Sequence, residues 1–355
     1  MSVLTATRLA AKSSVVEQGA DHAAFDDYVR AHPLGTFFHL SGWGEAARRA
    51  YGYEPIYLIA RRGGSIVGVL PLSDVRAPLT GHSLVSSAFS VGGGPLADDN
   101  DAIVALLDAA SDIAAARRAN YIECRSDFNA EGWSAKPTTH ATFRMPLIAD
   151  EARALAAAPR KRRAEIRKAL DAADAGALAV RNDGEPALFY RLYTQSLHRL
   201  GTPVFPNAFL AALLDIFSGA AEISVAEHRG RPVAALVTFF FGDMALPYYV
   251  GATDEAREAR AFDYLYWSAI RRAAEKGCAT FDFGRSRIGS GAYRYKQLWG
   301  IDPAPLTYRM KLIRAATAPN VNPANPKFAA FAKLWPRLPS AVANRLGPLL
   351  APNFP

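Results

Sequence analysis

The sequence contains few of the residues on which metal-dependent or covalent catalysis relies. Its 355 residues include two cysteines, Cys124 and Cys278, and seven scattered histidines. Neither residue type shows the spacing of a zinc site or of a disulfide framework. The HExxH pair, the GxSxG nucleophile elbow and any Cys-His signature are also missing. These absences argue against metal-dependent hydrolysis and against a covalent acyl-enzyme. We expect the histidines to be structural and no metal to be bound.

A signal for export or membrane insertion is missing as well. The opening residues, "MSVLTATRLAAKSSVVEQ", lack the apolar central stretch of a secretory signal. The most apolar stretch, 233–250, is broken by Gly242, Asp243 and Pro247, so it is predicted to form two strands and a turn. We therefore expect a cytoplasmic protein without a transmembrane segment, with the inner face of the cytoplasmic membrane as a further place of action.

Composition and charge favour an ordered protein with anionic partners. Half of the residues are hydrophobic and 21% are charged, which is typical of a globular chain. Lysine and arginine number 41 against 33 acidic residues, giving a net charge of +8. This excess favours nucleotides, RNA or acidic lipid headgroups, although many basic proteins are merely soluble. The length favours two domains.

The two halves of the sequence repeat each other at a separation of 166 residues. "LGT" at 34–36 recurs at 200–202, and "RGGSIVGVL" from Arg62 falls on "HRGRPVAAL" from His228. Each copy runs in the same order: helix, helix, hairpin, helix, terminal strand. A repeated series of this kind indicates an internal duplication.

The order of elements predicts a mixed α/β (α+β) fold with two modules side by side. The strands of each module meet through short turns, so each sheet should be mostly antiparallel and flanked by helices, unlike a doubly wound nucleotide fold. We divide the chain into a disordered lead-in at 1–19, a first domain at 20–155, a second at 156–315 and a proline-rich helical tail at 316–355. The second domain includes a basic linking helix at 159–174. The tail is expected to pack on the body, with docking to a partner or a membrane surface as alternatives.

The linking helix is a candidate binding surface for an anion. "APRKRRAEIRKALDAAD" places three arginines at i, i+3 and i+7, on a different face from Ile166 and Leu170. A solvated helix would show the same pattern, but the density of positive charge favours a phosphate or RNA partner. The substrate-binding candidates here are Arg160, Arg163, Arg167 and Lys168.

The stretch "FDFGRSRIGSGAYRYKQLWG", 281–300, is the second candidate. It follows a predicted strand and turns on glycines, but it lacks the GK[ST] ending of a Walker loop, and a helix that would aim its N-terminus at a phosphate is not indicated. Aromatic and cationic residues alternate in "SGAYRYKQLWG", which predicts a strand or an irregular rim. The further substrate-binding candidates are Arg285, Tyr293, Arg294 and Trp299.

Two residues in this stretch have chemistry suited to catalysis. Lys296, held beside aromatic rings, can stabilise negative charge that develops on an acyl oxygen. Asp282 lies in the predicted strand, where a lone carboxylate is usually a hydrogen-bonding element, with general base as the alternative. Trp299 is equally compatible with ordinary core packing.

The duplicated module, "KRRAEIRKA", "LGTPVFP" and above all the 281–300 stretch resemble the FemAB family. More narrowly, they resemble its branch associated with exosortase/PEP-CTERM exopolysaccharide systems. The resemblance covers about residues 20–350 and implies two tandem GNAT-type acyltransferase domains. It further implies that Tyr295 and Lys296 lie at the acyl-transfer centre, with Lys296 stabilising the oxyanion and Tyr295 positioning the acceptor or the tRNA end.

The resemblance implies transfer of an aminoacyl group from aminoacyl-tRNA to an amino group of a peptidoglycan-type cell-wall precursor. The alternative is an acyl-CoA-dependent N- or O-acyltransferase of exopolysaccharide biosynthesis, and a non-catalytic scaffold is the third hypothesis. No tightly bound cofactor is implied, because the donor is a substrate. The expected partners are tRNA, a nucleotide-diphosphate-linked or lipid-linked precursor, and peripherally the inner membrane or the polysaccharide machinery.

Overall fold

The computed structural model describes residues 14–19, 21–77, 81–136, 138–317 and 334–353. Its helices in chain order are α1 His22–Ala31, α2 Ser41–Tyr51, α3 Asn100–Ala116, α4 Glu151–Ala157, α5 Arg160–Asp174, α6 Pro186–Arg199, α7 Asn207–Ile216, α8 Glu255–Glu258, α9 Ala261–Glu275, α10 Gly291–Gln297 and α11 Ser340–Leu350. Its strands are β1 Val15–Gln18, β2 Glu54–Arg62, β3 Ser65–Ala77, β4 Gly81–Ser86, β5 Leu96–Ala97, β6 Tyr121–Cys124, β7 Ser134–Lys136, β8 His140–Pro146, β9 Leu178–Arg181, β10 Ala221–His228, β11 Arg231–Phe241, β12 Met244–Ala252, β13 Thr280–Arg287, β14 Ala304–Pro305 and β15 Tyr308–Leu312.

The strands form two mixed sheets, each flanked by helices. The first sheet has the order β1-β2-β3-β4-β6-β15-β7, with β5 paired to β3, and the second has the order β14-β8-β13-β12-β11-β10-β9. One neighbouring pair in each sheet is parallel, β4 with β6 and β12 with β13. The other paired strands of the described ranges run antiparallel. The predicted mixed α/β class is confirmed.

The two sheets exchange strands. β8 precedes the linking helix in sequence yet pairs with β13 in the second sheet, and β15, near the end of the second half, pairs with β6 and β7 in the first. The chain therefore crosses between the sheets twice, after β7 and before β15. These crossings lie beside the end of β13, since Ile288 N donates to Thr139 O at 2.8 Å.

The repeat is visible in the elements themselves. α2 and α7 begin at Ser41 and Asn207, 166 residues apart, and β3 and β11 begin at Ser65 and Arg231 with the same offset. Both hairpins turn on two consecutive residues with positive φ: 58° and 86° at 63–64, and 51° and 74° at 229–230. This is the primed turn that suits the twist of a hairpin.

A local two-fold axis relates the halves where α2 meets α7. Trp43 contacts its own counterpart, Phe209, edge-on at 6.0 Å between ring centroids. Arg49 pairs with its counterpart, Asp215, at 2.7 Å. Contacts between equivalent positions are expected only beside a two-fold axis. Because aromatic residues from both halves share one hydrophobic core here, the two modules are packed against each other and do not form separate bodies.

The chain termini differ in part from expectation. The lead-in predicted to be disordered contributes β1, which pairs with β2 and is held by an Arg61–Glu17 ion pair at 2.7 Å. The edge of β2 offers unpaired backbone groups, and "VVEQ" satisfies them. Residues 1–13 lie outside the described ranges. The described part of the tail packs on the body as predicted, because His198 on α6 contacts the Leu338 carbonyl at 3.0 Å.

Candidate active site

The site is built on a bulge in β13. The pairing of β13 with β8 shifts register between Asp282 and Arg285. Gly284, within the shift, has φ +68°, and its N–H donates to Asp282 Oδ1 at 2.8 Å. Asp282 is 2% exposed and also accepts from Thr142 Oγ1 at 3.1 Å and Arg144 Nε at 2.7 Å. Three donors therefore hold this carboxylate, so it fixes the shape of the bulge, in line with its predicted hydrogen-bonding role.

The segment after the bulge is a helix and not the strand or rim that alternation predicted. α10 spans Gly291–Gln297 and begins at an N-cap, Ser290, whose hydroxyl accepts from Tyr293 N at 3.1 Å. The cap and the positive φ of Gly289 (77°) start the helix and override a two-residue alternation in so short a segment. Tyr293 and Lys296, three residues apart, consequently share the inner face of α10, and Arg294 lies on the exposed face.

The Lys296 ammonium is enclosed by the bulge. Its residue is 7% exposed, and Nζ donates to the carbonyls of Phe283, Gly284 and Arg285 at 2.5, 2.9 and 3.2 Å. Nζ also lies 5.7 Å from the centre of the Phe143 ring. Burial lowers the pKa of Lys296 to about 8, against the opposing effect of Asp282, so the side chain is mainly charged at neutral pH.

The bulge and the turn that leads into α10 carry three glycines whose Cβ side is open. A Cβ placed on Gly284, Gly289 or Gly291 would meet nothing within 4 Å. Glycine within a strand is typical of places where a ligand or another backbone comes close. The site therefore combines a buried cation with an accessible rim of bare backbone.

Tyr295, the neighbour of Lys296, faces a different direction. Its hydroxyl donates to Asp263 Oδ1 at 3.2 Å, in the first turn of α9. Arg162, from α5, pairs with the same carboxylate oxygen, and its guanidinium lies 4.7 Å from the Tyr295 ring and 5.1 Å from the Trp299 ring. This cluster joins α5, α9 and α10, so it fixes where α10 sits relative to the bulge.

The predicted substrate-binding residues fall into two groups. The first group, Tyr293, Trp299 and Arg285, lies beside the bulge. The ring centroids of Tyr293 and Phe143 are 5.2 Å apart, and Trp299 is buried with its ring centroid 5.6 Å from that of Phe283. The second group lies on α5. Arg160, Arg167 and Lys168 are exposed, Lys168 pairs with Glu165 at 2.9 Å, and Arg163 donates to the Ala156 carbonyl at 2.8 Å.

Sequence reasoning missed Arg162 as a site residue. It is 4% exposed, whereas its basic neighbours on α5 are exposed or, in the case of Arg163, partly buried. The signal was present in the spacing, because Arg162, Ile166 and Ala169 stand at i, i+4 and i+7 and form the buried stripe of the helix. A basic residue on an apolar stripe is rarely buried without a partner, and Asp263 is that partner.

Comparisons with known proteins agree with this architecture. Residues 160–297 match the family model "Acetyltransferase (GNAT) domain". The crystal structure of FemX superposes with a TM-score of 0.69 at 16% identity, covering 84% of this chain and 98% of that chain. A tandem GNAT protein from the clavulanic acid biosynthesis pathway superposes with a TM-score of 0.53 at 12% identity, covering 86% of this chain and 99% of that chain. No curated protein sequence matches significantly.

A third similar structure is the C-terminal domain of a putative lysylphosphatidylglycerol synthetase from Agrobacterium fabrum. Its TM-score is 0.53 at 14% identity, with 82% of this chain and 91% of that chain covered. The fold and the matched domain define the class of the protein: it is an acyltransferase with two GNAT-like folds in tandem. Within that class its structure is similar to FemX, of the FemAB family.

Over the described residues, no group of three or more His, Cys, Asp and Glu side chains is arranged to hold a metal ion. In the same part of the chain, no helix has the length and apolar character needed to span a bilayer.

Proposed function

We propose that this protein transfers an acyl group to an amine, with Lys296 stabilising the oxyanion that forms on the acyl carbonyl. The observation that carries the proposal is the buried Lys296 ammonium, held by three carbonyls at 2.5–3.2 Å beside an open glycine rim. A cation held in place before reaction, in a site shielded from water, stabilises developing charge far better than a solvated one does.

The proposed position of the substrate oxygen follows from the hydrogen bonds of the Lys296 ammonium. The Arg285 carbonyl is the most distant of the three acceptors, at 3.2 Å, and we assign the acyl oxygen to its place on Nζ. The acceptor nitrogen attacks the acyl carbon, the oxygen takes up the negative charge, and collapse breaks the bond to the leaving oxygen or sulfur. The nitrogen loses one proton and the leaving group gains one. Asp282 shapes the bulge, and Tyr295 holds α10 in place through its contacts with Asp263 and Arg162.

Aminoacyl-tRNA is the donor that the charge distribution supports best. One face of α5 carries exposed basic side chains, and Arg162 on its buried face contacts Tyr295 of α10. A polyanion bound to the exposed face of α5 would therefore have its acylated end near the Lys296 site.

The acceptor in this proposal is an amino group of a peptidoglycan-type cell-wall precursor. The resemblance of the 281–300 stretch to the FemAB family supports this acceptor, and the structural similarity to FemX over 84% of the chain agrees with it in fold. The second candidate is acyl-CoA-dependent N- or O-acyl transfer in exopolysaccharide biosynthesis. The GNAT domain match at 160–297 supports that candidate, because acyl-CoA is the donor implied by such a domain.

The test offers the purified protein each donor separately. Charged tRNA carrying a radiolabelled amino acid, or radiolabelled acetyl-CoA, is incubated with the protein and a mixture of cell-wall and polysaccharide precursors carrying free amines. We expect label to move from tRNA to an amine, with at least 100-fold slower transfer for Lys296→Met. Transfer from acetyl-CoA alone would establish the second candidate. If neither charged tRNA nor acetyl-CoA loses its acyl group to an amine, the result would instead favour a non-catalytic scaffold.

A further inference from the structure

The sequence that follows Asp302 is basic and contains no acidic residue. Residues 303–355 include seven lysines and arginines but neither aspartate nor glutamate, whereas the whole chain has a net charge of only +8. Nearly all of the net positive charge of the protein therefore belongs to this stretch. A concentration of one sign of charge in one segment favours an anionic surface as its partner.

Only some of these cations have a role within the fold. Arg309 on β15 pairs with Asp127 at 2.7 Å, and the Lys311 ammonium donates to Ser111 Oγ at 3.0 Å. Arg337, just before α11, and Arg345, on α11, are exposed, and neither has a carboxylate partner among the described residues. These two guanidinium groups are therefore available to an external anion.

One face of α11 is held against the body of the protein. Ala343 is 2% exposed, and Gly347 is buried as well. A Cβ placed on Gly347 would lie 2.9 Å from the backbone nitrogen of Val204, so the helix backbone lies directly on the loop between α6 and α7. The contact of His198 with the Leu338 carbonyl, at 3.0 Å, fixes the start of the helix. These contacts determine which side of α11 faces outward.

The outward side of α11 is apolar. Val342, Leu346 and Leu349 stand at i, i+4 and i+7 and are 43%, 40% and 66% exposed, and Leu334, shortly before the helix, is 57% exposed. We call these four residues the outer stripe. They are four of the eleven exposed large hydrophobic residues of the described ranges. A helix that is apolar on two sides is expected to be covered on both, and the described residues cover only one.

The chemistry of this surface fits a lipid bilayer. Exposed leucines beside arginines, without any acidic residue, are typical of helices that lie in the interface of a membrane, with the apolar side chains at the boundary of headgroups and acyl chains. Anionic lipids attract nearby arginines, and the guanidinium group binds phosphate oxygens well. A protein partner would more often be met by a surface with polar groups of both signs around its apolar centre.

We propose that the outer stripe, together with Arg337 and Arg345, docks this protein on the surface of a bilayer that contains anionic lipids. The leucines enter the headgroup region, and the two arginines bind lipid phosphates. This docking is independent of the acyl donor and acceptor. Only its consequence, that a lipid-linked acceptor would reach Lys296 from the same membrane, rests on the proposed function.

Cosedimentation of the full-length protein with vesicles tests the docking. One set of vesicles contains equal parts of phosphatidylglycerol and phosphatidylcholine, and the other contains phosphatidylcholine alone. We expect binding to the anionic vesicles, at least tenfold weaker binding to the neutral ones, and a further weakening when salt screens the arginines. The double variant Leu346→Gln/Leu349→Gln should bind the anionic vesicles at least tenfold more weakly than the wild type.

The matched control is Leu312→Gln. Leu312 is 39% exposed, much like Leu346, and lies in the same acid-free stretch, but it pairs with Tyr121 in the first sheet and is not part of α11. This variant should bind the anionic vesicles as the wild type does. A second measurement uses the wild type alone: amide hydrogen exchange across α11, Ser340–Leu350, should slow at least threefold when anionic vesicles are present.

Several results would overturn the proposal. The wild type could stay in solution with the anionic vesicles, bind both kinds of vesicle equally, or bind no better than the double variant. Light scattering without vesicles could instead show a dimer that the double variant loses, which would assign the outer stripe to a second copy of the chain. Loss of acyl transfer with vesicle binding retained would count against the proposed function alone.

Discussion

Replacement of Lys296 by methionine should change how stability depends on pH. Burial lowers the pKa of this lysine from its ordinary 10.5 to about 8. At about 1.4 kcal/mol per pH unit, keeping the side chain charged in its site costs about 3 kcal/mol of folding free energy. Methionine removes this cost but leaves three backbone carbonyls without their donor, which costs about 1–3 kcal/mol. We therefore expect the two proteins to differ by less than about 2 kcal/mol at pH 7.

The difference should then grow in favour of the wild type as the pH rises. Between pH 8 and 10.5 the unfolded lysine still holds a proton that the folded lysine has lost, so the unfolded state binds more protons and the free energy of unfolding increases with pH. Methionine has no such dependence. The free energy of unfolding of the wild type relative to Lys296→Met should therefore rise by about 3 kcal/mol across this window.

Urea denaturation of both proteins at half-unit steps from pH 7 to 10.5 measures this difference. Other titrating groups are common to the two chains, so they cancel in the comparison. A difference that stays constant within about 0.5 kcal/mol over the whole range would mean that the ammonium is not buried, and the reasoning about the site would fail.

Further predictions concern the groups that hold the site and the fold. Arg162→Met should lower the free energy of unfolding by about 3–5 kcal/mol, because Asp263 loses its cationic partner, whereas Arg160→Met on the exposed face should change it by less than about 0.5 kcal/mol. Equal effects of the two substitutions would show that the Arg162–Asp263 pair does not hold α5 against α9. Gly284→Ala should cost about 1–2 kcal/mol in chemical denaturation because φ is +68°, and an unstrained variant would argue against the bulge. Trp43→Ala should cost about 3–5 kcal/mol by opening the shared core of the two halves, and a loss below about 1 kcal/mol would contradict the packing described. The rate of acyl transfer to an amine that is already deprotonated should fall above about pH 8, because Lys296 loses its proton there. A transfer rate that keeps rising to about pH 10 would exclude a charged Lys296 as the group that stabilises the oxyanion.

Much of the fold could be read from the sequence because the duplication repeats each local signal. The glycine pair at 63–64 predicts a primed turn, and the matching offset predicts the same turn at 229–230, although Arg229 is a poor residue for positive φ. The strand exchange could not be read in this way. β8 and β15 have ordinary strand patterns, and nothing local tells a strand which of two similar sheets it will join.

The site was partly predictable for a related reason. Lys296 stands out as a cation among aromatic residues, and the structure buries it. The helix around it was missed because its cap, Ser290, sits in a glycine-rich run that also fits a turn. Arg162 was missed because five basic neighbours surround it in sequence and obscure its place on the apolar stripe with Ile166 and Ala169.

The central claim is that the Lys296 ammonium stabilises the acyl oxyanion. Single-turnover transfer from a charged tRNA to a cell-wall precursor, followed by quenched flow for the wild type and for Lys296→Met, tests it most directly. We predict a rate lower by about 100- to 1,000-fold in the variant, as is typical for the loss of one oxyanion donor, with donor binding changed by less than threefold. Equal rates in the two proteins, with both folded, would contradict the claim.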